Sequence, residues 1–139
     1  MADLDALAGE QYCYLTTTGR VSGRPHEIEI WFGLSGATLY MLSGGGERSD
    51  WVKNLLREPG VAVRIDSTRM RGGARVVVPA TAEDRKARRL LLRKYQPLYQ
   101  GDLADWGRNA LPVAVDLDVR HAAGGSRAAR RRTGRSGAG

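Results

Sequence analysis

Two short stretches of this 139-residue chain concentrate the residue types that hold anions. The first, Thr16-Thr17-Thr18-Gly19-Arg20-Val21-Ser22-Gly23-Arg24-Pro25, sets four hydroxyls beside two glycines and two guanidinium groups. A turn of that composition offers backbone N–H groups, hydroxyl donors and planar N–H forks in one small volume, which is chemistry for a phosphate or a carboxylate. The second, Ser43-Gly44-Gly45-Gly46, leads into a helix start near Ser49. The unpaired N–H groups of a first helical turn also favour anions. Taken by themselves, Gly19 and Gly23 fit a plain tight hairpin better than a ligand loop.

Strands must carry these turns. Tyr12 to Thr17 is rich in β-branched and aromatic residues and predicts a strand that delivers the first turn. His26 to Phe32 alternates, with His26, Ile28, Ile30 and Phe32 on one face and Glu27, Glu29 and Trp31 on the other. The first face belongs in a core, which makes His26 a hydrogen-bonded core histidine before a catalytic one. The second sets two carboxylates beside an indole, as a wet or ligand-lined surface would. Gly33 to Gly36 predicts a hairpin turn and Ala37 to Leu42 the next strand.

Ser49 is placed to cap a helix in which Val52, Leu55 and Leu56 form the packing stripe and Trp51 and Asn54 share a neighbouring face. Trp51 at that spacing is in general more often core than a cofactor platform, and Asn54 could equally cap a neighbouring loop. Pro59-Gly60 ends this helix, and Val61 to Ile65 follows as a strand. Arg71-Gly72-Gly73 predicts a turn, with a strand from Arg75 to Ala80. Thr81 with Asp84 opens a basic helix reaching Tyr95, its arginines (Arg85, Arg88, Arg89, Arg93) on a solvated face. A loop holding Tyr99 and Trp106 precedes a last strand, Leu111 to Leu117. The expected class is mainly β with flanking helices (α+β): about six antiparallel strands and two main helices in a small barrel.

Composition narrows the function classes. The length suits one domain with its own core, and no apolar run is long enough for a membrane span. Cys13 is the only cysteine and stands alone, so neither an internal disulfide nor a metal centre is expected. The acidic start Met1-Ala2-Asp3-Leu4-Asp5 is unlike a signal peptide, and a cytoplasmic location follows by default. The net charge of +7 sits almost wholly in residues 120–139, which hold six arginines and no acid. The body, residues 1–119, is left with sixteen Lys and Arg against fifteen Asp and Glu, which is no specific nucleic-acid surface. The Arg/Gly-rich tail is expected to be disordered, with at most weak affinity for polyanions.

In order along the chain, Leu15-Thr16-Thr17-Thr18-Gly19-Arg20, Ser22-Gly23-Arg24-Pro25, Trp31-Phe32, Ser43-Gly44-Gly45 and Trp51-Val52-Lys53-Asn54-Leu55 resemble the deazaflavin-dependent nitroreductases, also called F420H2-dependent quinone reductases. The resemblance spans Tyr12 to Leu117 and implies a split β-barrel similar to pyridoxamine-phosphate oxidases, with bound coenzyme F420. It places Arg20, Ser22 and Gly23 at the coenzyme's anionic tail, Trp31 beside the coenzyme, and Ser43, Gly44 and Gly45 at the deazaflavin ring. Trp51 and Asn54 would line the coenzyme, and His26 joins the same set of candidate contacts. Tyr95 and Tyr99 fall near the electron acceptor; the inferred catalytic pair is Ser43, orienting ring or acceptor, and Tyr99, donating a proton.

The implied reaction moves a hydride from reduced F420 to a quinone, nitroaromatic or activated alkene. Val21 and Gly44 stand where some relatives carry basic residues, and Glu29 puts a negative charge near the expected anion. FMN in the same fold, and a non-enzymatic coenzyme-binding protein, are the alternatives. A homodimer is left open.

Overall fold

The structure is a computed structural model and describes residues 4–118. Its elements are α1 (Leu4–Leu7), β1 (Cys13–Thr18), β2 (Pro25–Ile30), β3 (Gly33–Ser35), β4 (Thr38–Ser43), α2 (Asp50–Arg57), β5 (Gly60–Ile65), β6 (Thr68–Val76), α3 (Ala82–Tyr95), α4 (Ala104–Asn109) and β7 (Leu111–Leu117). The seven strands form one antiparallel sheet in the order β2-β1-β5-β6-β7-β4-β3. Strands β2 and β3 are the two outer edges, yet only Trp31 and Phe32 separate them in sequence. Two residues reach across at most ~10 Å, whereas seven flat strands would be ~29 Å wide. The sheet therefore curls until its edges meet at this bend, as a barrel split along one seam.

Side-chain parity explains which strands look apolar. Cys13 and Leu15 of β1, Leu39 and Met41 of β4, Val61, Val63 and Ile65 of β5, and Val113, Val115 and Leu117 of β7 fill the interior. Helix α2 closes one end by inserting Val52 and Leu55, each burial contributing about 1.5–3 kcal/mol. On the outer face Tyr40, Leu42 and Ala114 lie under Ala87, Leu91 and Tyr95 of α3. Strands β4 and β7 are thus covered on both sides, which is why their sequences are apolar without alternation.

Several sequence expectations need correction. The sheet has seven strands, because Gly33–Ser35 pairs with β4 (Gly33↔Tyr40) and the turn is moved on to Gly36, whose φ is +59°. Gly33 is required for a different reason: a Cβ there would lie 2.8 Å from Leu90 of α3. Arg71-Gly72-Gly73 lies inside β6 rather than in a turn, and the strand ends at Val76. At Gly72 a Cβ would meet the Asp116 carbonyl at 2.6 Å, so this glycine lets two strands close up. His26 is exposed, since β2 is an edge strand and this end of it lies at the rim. Leu56, placed in the buried stripe, is 52% exposed.

Arg88 is not part of a solvated face. It pairs with Asp84 and donates from Nη1 to the carbonyls of Gly107, Arg108 and Ala110 at 2.8–3.0 Å. That fork closes the C-terminal end of α4, a helix the sequence reading treated as loop. Thr81 does cap α3, accepting from Asp84 N at 3.1 Å, and Asp84 in turn accepts from Ala80 N. The expected tail, residues 120–139, lies outside the described residues.

Candidate functional site

The first turn is closed by its own backbone. Gly19 N donates to Arg24 O at 2.7 Å and Gly23 N to Gly19 O at 2.8 Å, with Gly23 in the left-handed region at φ +74°. Ser22 Oγ accepts from Arg24 N at 3.1 Å, so this hydroxyl shapes the turn. His26 packs over Gly19, where a Cβ would fall 2.6 Å from its Nε2. Arg20 is anchored to α2: its amide and its Nη1 both donate to Asn54 Oδ1, and its Nη2 pairs with Asp50 at 3.1 Å. Asn54 is buried and completes the link by donating to Thr17 Oγ1 at 3.1 Å. These bonds make Asn54 a bolt between β1 and α2, with Trp51 half-buried against the barrel core beside it.

The second turn follows β4. Ser43 has the inward parity of Leu39 and Met41 and is 3% exposed. Its hydroxyl donates to Gly46 O at 3.0 Å, so its contact with Ser49 Oγ at 2.9 Å must run with Ser49 as donor. Gly45 has no room for a Cβ, which would meet that Ser49 hydroxyl at 2.5 Å. Ser49 does occupy the N-cap position of α2, but makes no side-chain cap bond. Among the described residues the leading amides of α2 thus take no side-chain cap from Ser49, and they follow directly on the exposed Arg48 and lie by Arg20, which bonds Asp50. Gly44 is exposed, and its Cβ position is 3.9 Å from the Trp106 ring.

Trp106 belongs to a second feature, a cleft of about 600 Å³ on the outer side of the seam. Tyr12, Glu29, Ile30, Trp31 and Leu42 line one side, and Tyr99, Asp102, Leu103, Asp105 and Trp106 the other. Trp31 is its centre. It stacks face to face on Tyr95 at 4.3 Å and stands nearly perpendicular to Trp106 at 5.5 Å and Tyr99 at 6.1 Å. Tyr95 is fully buried, and burial pushes its hydroxyl up to about 12. That hydroxyl accepts from Phe32 N and faces the carbonyls of Gln11 and Phe32, so it pins the bend that carries Trp31. Tyr99 is about half exposed, its ring folded over Gly101. The loop that presents it is closed by Gln96, which donates to Gly101 O at 2.7 Å and accepts from Leu103 N at 2.8 Å.

Of the candidate residues, the cleft contains Trp31 and Tyr99, with Gly44 on its border. Arg20, Ser22, Gly23, His26, Trp51 and Asn54 gather instead at the turn and helix beyond it, and Ser43 points into the barrel end. Sequence reasoning missed Tyr12, Ile30, Leu42, Asp102, Leu103, Asp105 and Trp106 as lining residues. The one available signal was Asp102, whose carboxylate accepts from Ala104 N at 2.9 Å and marks the start of α4. No group of carboxylate, thiol or imidazole ligands suited to a metal occurs among the described residues, and no helix among them is long and apolar enough to cross a membrane.

Residues 4–118 match the profile of the F420H(2)-dependent quinone reductase family. No curated protein matches the chain. Among solved structures, an F420-H2-dependent reductase is 18% identical over 76% of this chain and 93% of its own, with a TM-score of 0.62. An F420 reductase is 23% identical over 81% of this chain and 91% of its own, with a TM-score of 0.59. The heme storage protein HutZ of Vibrio cholerae is 11% identical over 83% and 87%, with a TM-score of 0.63. At these identities the likenesses concern the fold, which evidently houses unlike ligands.

Proposed function

The chain belongs to the F420H(2)-dependent quinone reductase family, making it an F420-dependent reductase, and we propose that it reduces a small, flat electrophile of the quinone or nitroaromatic type held in the aromatic cleft. The observation that carries this reading is the shared wall. The glycine turn after β4 and the Trp31 cleft meet where Gly44 faces Trp106. A ligand on the turn and a ligand in the cleft would therefore be neighbours, which is what direct transfer between two bound molecules demands.

The residues present fit an anionic coenzyme. The amides at the start of α2 lack a side-chain cap, Arg20 is held rigidly beside them, and Gly44 leaves the backbone open to a close approach. In this reading Arg20, Arg48 and the α2 amides hold the anionic tail, while Ser22 and Gly23 fix the turn that presents Arg20. Gly44 and Gly45 form the surface against the ring, and Ser43, whose hydroxyl donates to Gly46 O, holds that turn in shape. When bound, F420H2 supplies the hydride. The chain's contribution is to align the acceptor on Trp31, to keep water from that face, and to offer the Tyr99 hydroxyl as the proton source for a reduced quinone oxygen.

Oxidation of F420H2 by menadione, followed by absorbance, is the direct test. Turnover with a micromolar KM is expected, and Tyr99→Phe should lower kcat about tenfold or more while leaving coenzyme affinity unchanged. Absence of both coenzyme binding and turnover would remove the proposal.

A further inference from the structure

The acceptor cleft has a charge as well as a shape. Of its ten lining residues four are aromatic and three are carboxylates, and none is a lysine or arginine. Asp105 pairs with Arg108 on its own helix. Glu29 accepts the Tyr14 hydroxyl at 2.6 Å and Asp102 accepts Ala104 N, and among the described residues neither forms an ion pair. Two carboxylates outside any ion pair thus line the same cleft as four aromatic rings, with Arg64 lying 4.2 Å over the ring of Glu29's partner Tyr14. Ring faces attract cations through their quadrupoles, and two carboxylates outside any ion pair add to that attraction in the same direction. An anionic acceptor would meet repulsion from both.

Resting on the reading of this cleft as the acceptor site, we infer that it selects flat aromatic acceptors bearing a positive charge, such as N-alkylated heteroaromatic rings, over neutral ones and excludes anionic ones. Uptake of one hydride turns such a cation into a neutral molecule. The hydride comes from the reduced coenzyme, whose remaining proton passes to water, and the acceptor itself needs no proton. The carboxylates lose their hold on the product as it forms, so the charge that favours binding also favours release.

The test uses the full chain without coenzyme and three ligands of nearly equal size: N-methylacridinium, acridine in its neutral form, and acridine carboxylate. Isothermal titration at low salt should give affinities in the order cation, neutral, anion, with about tenfold or more between the extremes. Glu29→Gln and Asp102→Asn keep the acceptor atoms that Tyr14 and Ala104 use, so the fold is preserved while the charge is removed. The pair should compress the difference to about threefold or less. Equal affinities, a reversed order, or a preference untouched by the two substitutions would overturn the inference. If none of the three binds while menadione is still reduced by F420H2, the acceptor site stands and its charge selectivity falls.

Discussion

At the scale of single residues, hydrogen-bond partners set roles that residue type does not. Asn54 satisfies the Arg20 amide, the Arg20 guanidinium and the Thr17 hydroxyl at once. Asn54→Ala leaves two buried or half-buried groups unpaired, and urea unfolding should show a loss of about 2–3 kcal/mol. Coenzyme affinity should fall with it, because Arg20 loses its anchor. Thr17→Val removes one bond only and should cost less than half as much. Ser43 gives a second contrast. Its single proton is committed to Gly46, so Ser43→Ala should disturb the glycine turn and raise the coenzyme Kd several-fold while changing kcat little. A loss confined to kcat would return Ser43 to a direct role in the transfer.

At the scale of elements, the cleft depends on a segment that has almost no regular structure. Gln96 clamps residues 97–102 from both ends, and this loop contributes Tyr99 and Asp102 to the lining. Gln96→Ala should raise the acceptor KM several-fold with a small change in kcat and little change in unfolding midpoint, since no core residue is touched. The same contrast explains what the sequence could reveal. The β-branched and aromatic composition of β1, the alternation in β2 and the short connections between strands are local patterns, and they identified the mainly β barrel. Gly33 and Gly72 were misjudged because their lack of a side chain serves approaches by Leu90 and by the Asp116 backbone, partners 57 and 44 positions away. Trp31, Tyr99 and the family motifs were visible in sequence. Leu42, Leu103 and the acids of the far wall were not, because only the curl of the sheet and the Arg88 fork on α4 bring them across from Trp31.

At the scale of the whole molecule, buried and paired ionisable groups give a stability profile with distinct limbs. Arg75 binds Glu83 and Asp116 together and so joins β6, α3 and β7. The guanidinium holds Glu83 down at about 2 and lowers Asp116 in the same direction. Depressed carboxylates stabilise above their unfolded value and lose that contribution as pH falls, so stability should drop between about pH 4.5 and 2; exposure of the network limits its worth to about 1 kcal/mol. The alkaline side works differently. Lys94, donating to Phe32 O beneath the bend, is lowered to about 8 by burial. From there up to its unfolded value of 10.5 the unfolded chain keeps a proton that the folded chain has lost, so this group makes stability rise with pH. Burial raises Cys13, Tyr40 and Tyr95 to about 12, so above their ordinary values of 9 to 10 the unfolded chain releases protons first and stability falls. The two trends cross to give a maximum at about pH 9. Urea unfolding across this range should show the rise between pH 8 and 9 in the natural sequence and a flat or slightly falling line there in Lys94→Met; a rise that survives the substitution would mean another group carries it.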